Sequence, residues 1–178
     1  MKTLQGFAPE ARWIRPESLH VTLKFIGEQP AERVDAIADR LRHIEAPSLQ
    51  LKVAGHGFFP TAEAPRVFWI GVVENQGLTE LAMKCDAALA ELGIPQERRP
   101  YSPHLTLARA SGRSSGSPNW RKGDRANSIF SALQLPRDHL NAPDFGKVDV
   151  REFDLYRSQL SPTGSLYTKL RNFPLQSP

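Results

Sequence analysis

One short pattern occurs twice in this 178-residue chain, and any fold must accommodate both copies. Leu19-His20-Val21-Thr22-Leu23-Lys24-Phe25 and His104-Leu105-Thr106-Leu107-Ala108-Arg109 each alternate between apolar and polar residues, the period of a half-buried β-strand. Successive side chains of a strand point to opposite faces. His20 and Thr22 are therefore expected on one face with Leu19, Val21 and Leu23 on the other, and His104 and Thr106 are expected opposite Leu105 and Leu107. Arg109 falls on the face away from His104 under strict alternation, and its guanidinium reaches the polar face only if the strand twists or ends there.

The intervening chain repeats an order of strand and helix. Val34, Ile37, Ala38, Leu41 and Ile44 recur at helical spacing between Pro30 and Pro47. Strands are expected at 49–54 and 67–73, separated by a turn-rich stretch from Gly55 to Pro65. A second helical stripe, Leu78, Leu81, Ala82, Cys85, Leu89 and Leu92, stops at Gly93. After the second His-x-Thr copy come a Ser- and Gly-rich stretch at 111–118, the basic residues Arg121, Lys122 and Arg125, and a short helix near 129–133. Two antiparallel strands are expected over 147–160 and 166–173, joined through Pro162-Thr163-Gly164. The fold class read from this order is α+β: one domain over 1–178, bilobal and duplicated, with two mostly antiparallel sheets flanking a central cleft and helices outside. One lobe is expected to carry His20 and Thr22, the other His104 and Thr106.

If a pseudo-two-fold axis relates the halves, the two His-Thr pairs face each other across that cleft. Two imidazoles can serve as one neutral base and one protonated acid near neutral pH, as a proton-in, proton-out displacement at phosphorus requires. The Thr22 and Thr106 hydroxyls can donate to phosphate oxygens while charge develops on them. A single His-x-Thr in an alternating strand is usually an ordinary polar face; two copies in similar settings, each behind a proline-containing lead-in, read as a shared site. His43 at a helix end, His56 in a glycine-flanked turn and His139 in a polar loop are left outside it. Phe58, Phe59, Trp69, Tyr101 and Tyr167 could stack on a nucleobase, although most are expected in the core.

Composition narrows the classes further. Hydrophobic residues at 40% and charged residues at 24% are ordinary for a globular chain, and no segment has the unbroken apolar length of a membrane span. A net charge of +4 favours an anionic partner. Cys85 is the only cysteine, which excludes an intramolecular disulfide, and a start without an apolar signal core points to the cytoplasm. With no H-E-x-x-H and no G-x-x-x-x-G-K-[ST], neither a metal nor any other cofactor is expected.

Taken together, Arg15-Pro16-Glu17-Ser18-Leu19-His20-Val21-Thr22-Leu23, Phe25, Gly27, Phe59-Pro60, Arg66-Val67, Trp69 and Arg99-Pro100-Tyr101-Ser102-Pro103-His104-Leu105-Thr106-Leu107-Ala108-Arg109 resemble the two-histidine phosphoesterases. Within that superfamily the resemblance is to the RNA 2′,3′-cyclic phosphodiesterases, historically called 2′-5′ RNA ligases. It continues through Leu155-Tyr156-Arg157-Ser158, Tyr167 and Phe173-Pro174. The resemblance implies hydrolysis of a terminal 2′,3′-cyclic phosphate on RNA, such as a tRNA half, to a 2′-phosphate, with no obligate protein partner. It implies His20 as proton donor to the leaving 3′ oxygen, His104 as the base that activates water, and Thr22 and Thr106 as phosphate donors, with Arg109 a further substrate contact. Three alternatives stay open beside it: reversible 2′-5′ RNA joining, opening of a small cyclic nucleotide, and an inactive RNA-binding module. Members of the family usually begin with a strand and a full helix ahead of the first His-x-Thr, so an N-terminal strand and part of a first helix are expected to be missing here. That would expose a sheet edge.

Overall fold

Elements form here where an apolar stripe finds something to cover it. The computed structural model describes residue 6, residues 8–110, residue 130, residues 143–161 and residues 164–177. Expectations for 111–118, for Arg121, Lys122 and Arg125, for all but Phe130 of the helix near 129–133, for His139 and for the Pro162-Thr163 turn lie outside the described residues. The α+β class with antiparallel sheets is the class observed: a five-stranded sheet in the order β1-β4-β3-β2-β5 and a separate β6-β7 hairpin. The strands are β1 (Arg12–Trp13), β2 (Leu49–Phe59), β3 (Val67–Val72), β4 (His104–Arg109), β5 (Asp144–Val150), β6 (Glu152–Ser161) and β7 (Gly164–Pro174). Pairs β1/β4, β4/β3, β3/β2 and β6/β7 are all antiparallel.

The chain divides into two compact units. The first takes residues 1–20, 53–72 and 104–146, and its core gathers Ala8, Ala11, Val53, Phe68, Ile70, Leu107, Ala108 and Phe130, with Trp13, Leu19, Phe58 and Leu105 packed against them. Phe68 is completely buried and meets Phe58 at 5.3 Å and Trp13 edge-on at 6.2 Å between ring centroids.

The second unit takes residues 21–52, 73–103 and 147–178. It holds both helices, α1 (Val34–Arg42) and α2 (Gln76–Ala90), whose buried faces are the stripes read from the sequence: Ile37, Ala38 and Leu41, then Leu78, Leu81, Ala82, Cys85 and Leu89. Asn75 caps α2 by accepting from the Leu78 N–H at 2.9 Å. Gly93, with φ near +75°, ends it while the Ile94 N–H returns to the Leu89 carbonyl. Burial beside Asp86 pushes the Cys85 thiol up to about 12, so it stays protonated and unreactive at neutral pH.

Three expectations need correction. Residues 19–25 do not form a ladder strand: Val21 makes one isolated bridge, and Leu19 follows a 3-10 turn over Pro16–Ser18. Alternation describes side chains, whereas a strand also needs a neighbour for its N–H and C=O groups, and no described strand runs beside this segment. At its far end the exposure of the side chains reverses the expected pattern. The Lys24 side chain is only 7% exposed, 2.5 Å from Asp86 and donating to the Pro95 carbonyl at 2.6 Å, while Phe25 is 76% exposed. Second, β2 does not stop at Ala54. Gly55 takes φ near +74° at an irregularity between Val53 and His56, its N–H is satisfied by the Pro143 carbonyl, and the strand continues to Phe59. Third, the strand expected over 147–160 is two, because the chain changes partners at Arg151: β5 lies beside β2, and β6 pairs with β7.

Candidate active site

In the second His-x-Thr copy the register of three strands decides which side chains share a face. Directly opposed residues of an antiparallel pair point to the same side of the sheet. His104 opposes Gly71, Thr106 opposes Trp69, and Arg109 opposes Val67. On β3 the alternate residues Phe68, Ile70 and Val72 are buried, with Phe68 and Ile70 in the core of this unit, so Val67, Trp69 and Gly71 face the other way. His104, Thr106 and Arg109 thus lie on one face, away from the core.

Strict alternation placed Arg109 on the wrong side, and the reason is a β-bulge. The partners jump from Phe68↔Ala108 to Trp69↔Thr106, leaving Leu107 as an extra residue on β4. Leu107 and Ala108 are both buried, so the parity of the strand flips between Thr106 and Arg109. Nothing in the order of residues announces this insertion.

The surroundings of His104 come from β2 and β3. Its ring meets Phe59 edge-on at 5.0 Å and Trp69 at 6.1 Å, and these two aromatics lie 5.2 Å apart. Phe58, by contrast, faces the core, so neighbouring phenylalanines serve opposite sides of one sheet. Gly57 makes room for this wall: a Cβ there would sit 2.2 Å from Cζ2 of Trp69. Gly71, opposite His104, likewise could not carry a Cβ without meeting the Ala54 carbonyl oxygen at 2.7 Å. The sequence offered aromatic candidates for this wall; the two glycines were not singled out, and only the paired register reveals their part.

His20 belongs to the same unit, two residues beyond the 3-10 turn. Its Nδ1 lies 2.8 Å from the Ser18 carbonyl oxygen. A carbonyl only accepts, so Nδ1 carries the proton in this contact. Thr22 falls in the second unit. His43 stands at the C-terminal end of α1 with Nδ1 2.7 Å from the Asp39 carbonyl, the helix-end position expected of it. His56 is not in a turn: it opposes Ile70 within β2, its ring lies against Phe68, and burial holds its pKa below the ordinary histidine value. Burial likewise raises the Tyr101 phenol. Among the described residues no three His, Cys, Asp or Glu side chains cluster as metal ligands would.

The family described as LigT like Phosphoesterase matches residues 3–69 and 70–167. The chain belongs to the LigT-like phosphoesterase family. Two of its relatives are RNA 2′,3′-cyclic phosphodiesterases. That of Archaeoglobus fulgidus is 32% identical over 173 residues, 97% of this chain and 88% of the relative; that of Thermus thermophilus is 32% identical over 185 residues, 99% and 79%. Among solved LigT-type structures, that of E. coli LigT complexed with 3′-AMP superposes with a TM-score of 0.70 at 27% identity, covering 98% of this chain and 88% of LigT. A crystal structure from Thermus thermophilus gives 0.71 at 29%, covering 99% and 89%.

Proposed function

We propose that this LigT-like phosphoesterase, a cyclic phosphodiesterase, opens the 2′,3′-cyclic phosphate at an RNA end to a 2′-phosphate, with His20 and His104 as its acid and base. The observation that carries the reading is the bulged face of β4, where an imidazole, a hydroxyl and a guanidinium line up on one side of a rigid strand. In the reaction His104 takes a proton from water as its oxygen bonds to phosphorus. The bond from phosphorus to the 3′ oxygen breaks, and Nε2 of His20 gives that oxygen its proton. Phosphorus remains attached to the 2′ oxygen. The Thr106 and Thr22 hydroxyls donate to the non-bridging oxygens, whose charge grows in the transition state, and Arg109 supplies a substrate contact. The Phe59 and Trp69 rings beside His104 restrict its orientation and exclude water from one side.

The test is turnover of a short RNA ending in a 2′,3′-cyclic phosphate, with the product identified. A 2′-phosphate lost in both His20→Ala and His104→Ala supports the reading. A 3′-phosphate product, or turnover that survives both changes, overturns it.

A further inference from the structure

The segment after the first histidine carries one anchor that the hydrolytic step does not use. From Thr22 to Pro30 no residue joins a ladder, yet Lys24 is held firmly. Its side chain is only 7% exposed, its Nζ lies 2.5 Å from a carboxylate oxygen of Asp86, and it donates to the Pro95 carbonyl at 2.6 Å. Asp86 in turn accepts the Glu97 N–H through its two oxygens, at 3.1 and 3.3 Å. It sits on α2, whose buried stripe includes Cys85 and Leu89 on either side of it. Taking both charges out of water is costly, and apolar side chains of similar volume often stabilise such a junction as well or better. What a directed ion pair adds is a defined position.

We infer that Lys24 and Asp86 are positioning residues for the reaction: they fasten the chain beside Thr22 to α2, so that the Thr22 hydroxyl meets the phosphate already oriented. This rests on the cyclic phosphodiesterase reading above, with Thr22 as a phosphate donor. Thr22, Lys24, Asp86, Pro95 and Glu97 all belong to the second unit, so the ion pair and the hydroxyl it serves lie in one compact body. Lys24 is two residues from Thr22, a reach of at most about 7 Å of chain, which leaves the hydroxyl little freedom once the ammonium is fixed. In the second copy, flanking strands hold Thr106. In the first copy, which has no ladder, the ion pair takes their place. A hydroxyl that donates as charge grows in the transition state contributes to kcat, so a misplaced Thr22 lowers kcat and leaves KM nearly as it was.

The experiment measures kcat and KM for a short RNA ending in a 2′,3′-cyclic phosphate in the parent, in the paired replacement Lys24→Met with Asp86→Leu, in Thr22→Val, and in all of these changes together. The paired replacement removes both charges at once, so neither is stranded, and urea unfolding should show a folded protein. Its kcat is expected to fall about tenfold with KM little changed, and in the Thr22→Val background the same replacement should cost less than about twofold more. Asp86→Asn, which keeps an oxygen for Lys24 and for the Glu97 N–H, is the milder variant should the paired one unfold; its kcat is expected to fall about threefold, again only while the Thr22 hydroxyl is present. Parental kcat in the folded paired variant, a loss in KM instead, or a loss that adds in full to that of Thr22→Val makes the pair a purely structural tie and overturns the inference, while the cyclic phosphodiesterase stands. Parental kcat in Thr22→Val, or a folded parent that turns over no cyclic phosphate, fails the underlying reading and takes the inference with it.

Discussion

The two His-x-Thr segments are nearly interchangeable as strings of residues, yet they fold differently. Residues 104–109 form a strand held between β3 and β1, with the Ile14 N–H bonded to the Leu107 carbonyl at 2.8 Å. Residues 19–25 form no ladder, and their side chains are placed one by one: Leu19 against the core of its unit, Lys24 on Asp86, Phe25 in solvent. Equal alternation therefore yields a strand only where neighbouring backbone is available. It follows that the two histidines are positioned by different means, His104 by aromatic packing on a sheet and His20 by a local hydrogen bond after a tight turn.

The largest expected effects ask whether that difference in support matters to the chemistry. His104→Ala and His20→Ala should each lower turnover of the cyclic phosphate by about 10²- to 10⁴-fold, and the double variant should lose little more, because an acid and a base that act in one step fail together. The parent should show a bell-shaped pH profile, since one imidazole must be neutral while the other is charged. A flat profile, or a loss confined to one histidine, would separate the two copies in function as they are separated in structure.

Next is the segment that is not a strand. Lys24→Met leaves Asp86 without its cation in a largely enclosed site and is expected to destabilise the protein by about 3 kcal/mol in urea unfolding. Were Lys24 on the solvated face of a strand, the same change would stay within about 0.5 kcal/mol. The comparison sharpens further with the hydroxyls: Thr106→Val and Thr22→Val should each cost roughly 10- to 100-fold in kcat if both donate to the phosphate as charge develops. A loss with Thr106 alone would leave the first copy with only its imidazole in the reaction.

The smallest expected effect concerns the sheet behind His104. Burial against Phe68 holds His56 below its ordinary pKa, so the unfolded chain binds a proton more readily than the folded one. Stability should be complete above the histidine range near ~6.5 and decline as pH falls toward the depressed value. His56→Phe should flatten that decline, which urea midpoints at about pH 7.5 and about pH 5 would register.

Much of the architecture was legible because burial leaves a periodic trace. The helical stripes of α1 and α2, the stopping Gly93 and the strand over 104–109 all follow from residue order and local propensity. The pairing of strands did not. Whether 19–25 finds a backbone partner, whether 147–160 keeps one partner or exchanges it at Arg151, and whether β2 ends or bulges at Gly55 depend on segments distant along the chain.

The same boundary runs through the candidate site. Two spaced histidines and two threonines are written in the sequence as a repeated pattern, and pattern is enough to nominate them. The face on which Arg109 emerges, the wall of Phe59 and Trp69 over Gly57, and the meeting of Lys24 with Asp86 were decided by tertiary structure alone. Side-chain direction in a sheet is a parity, and one inserted residue, visible only when two strands are paired, reverses it for everything that follows.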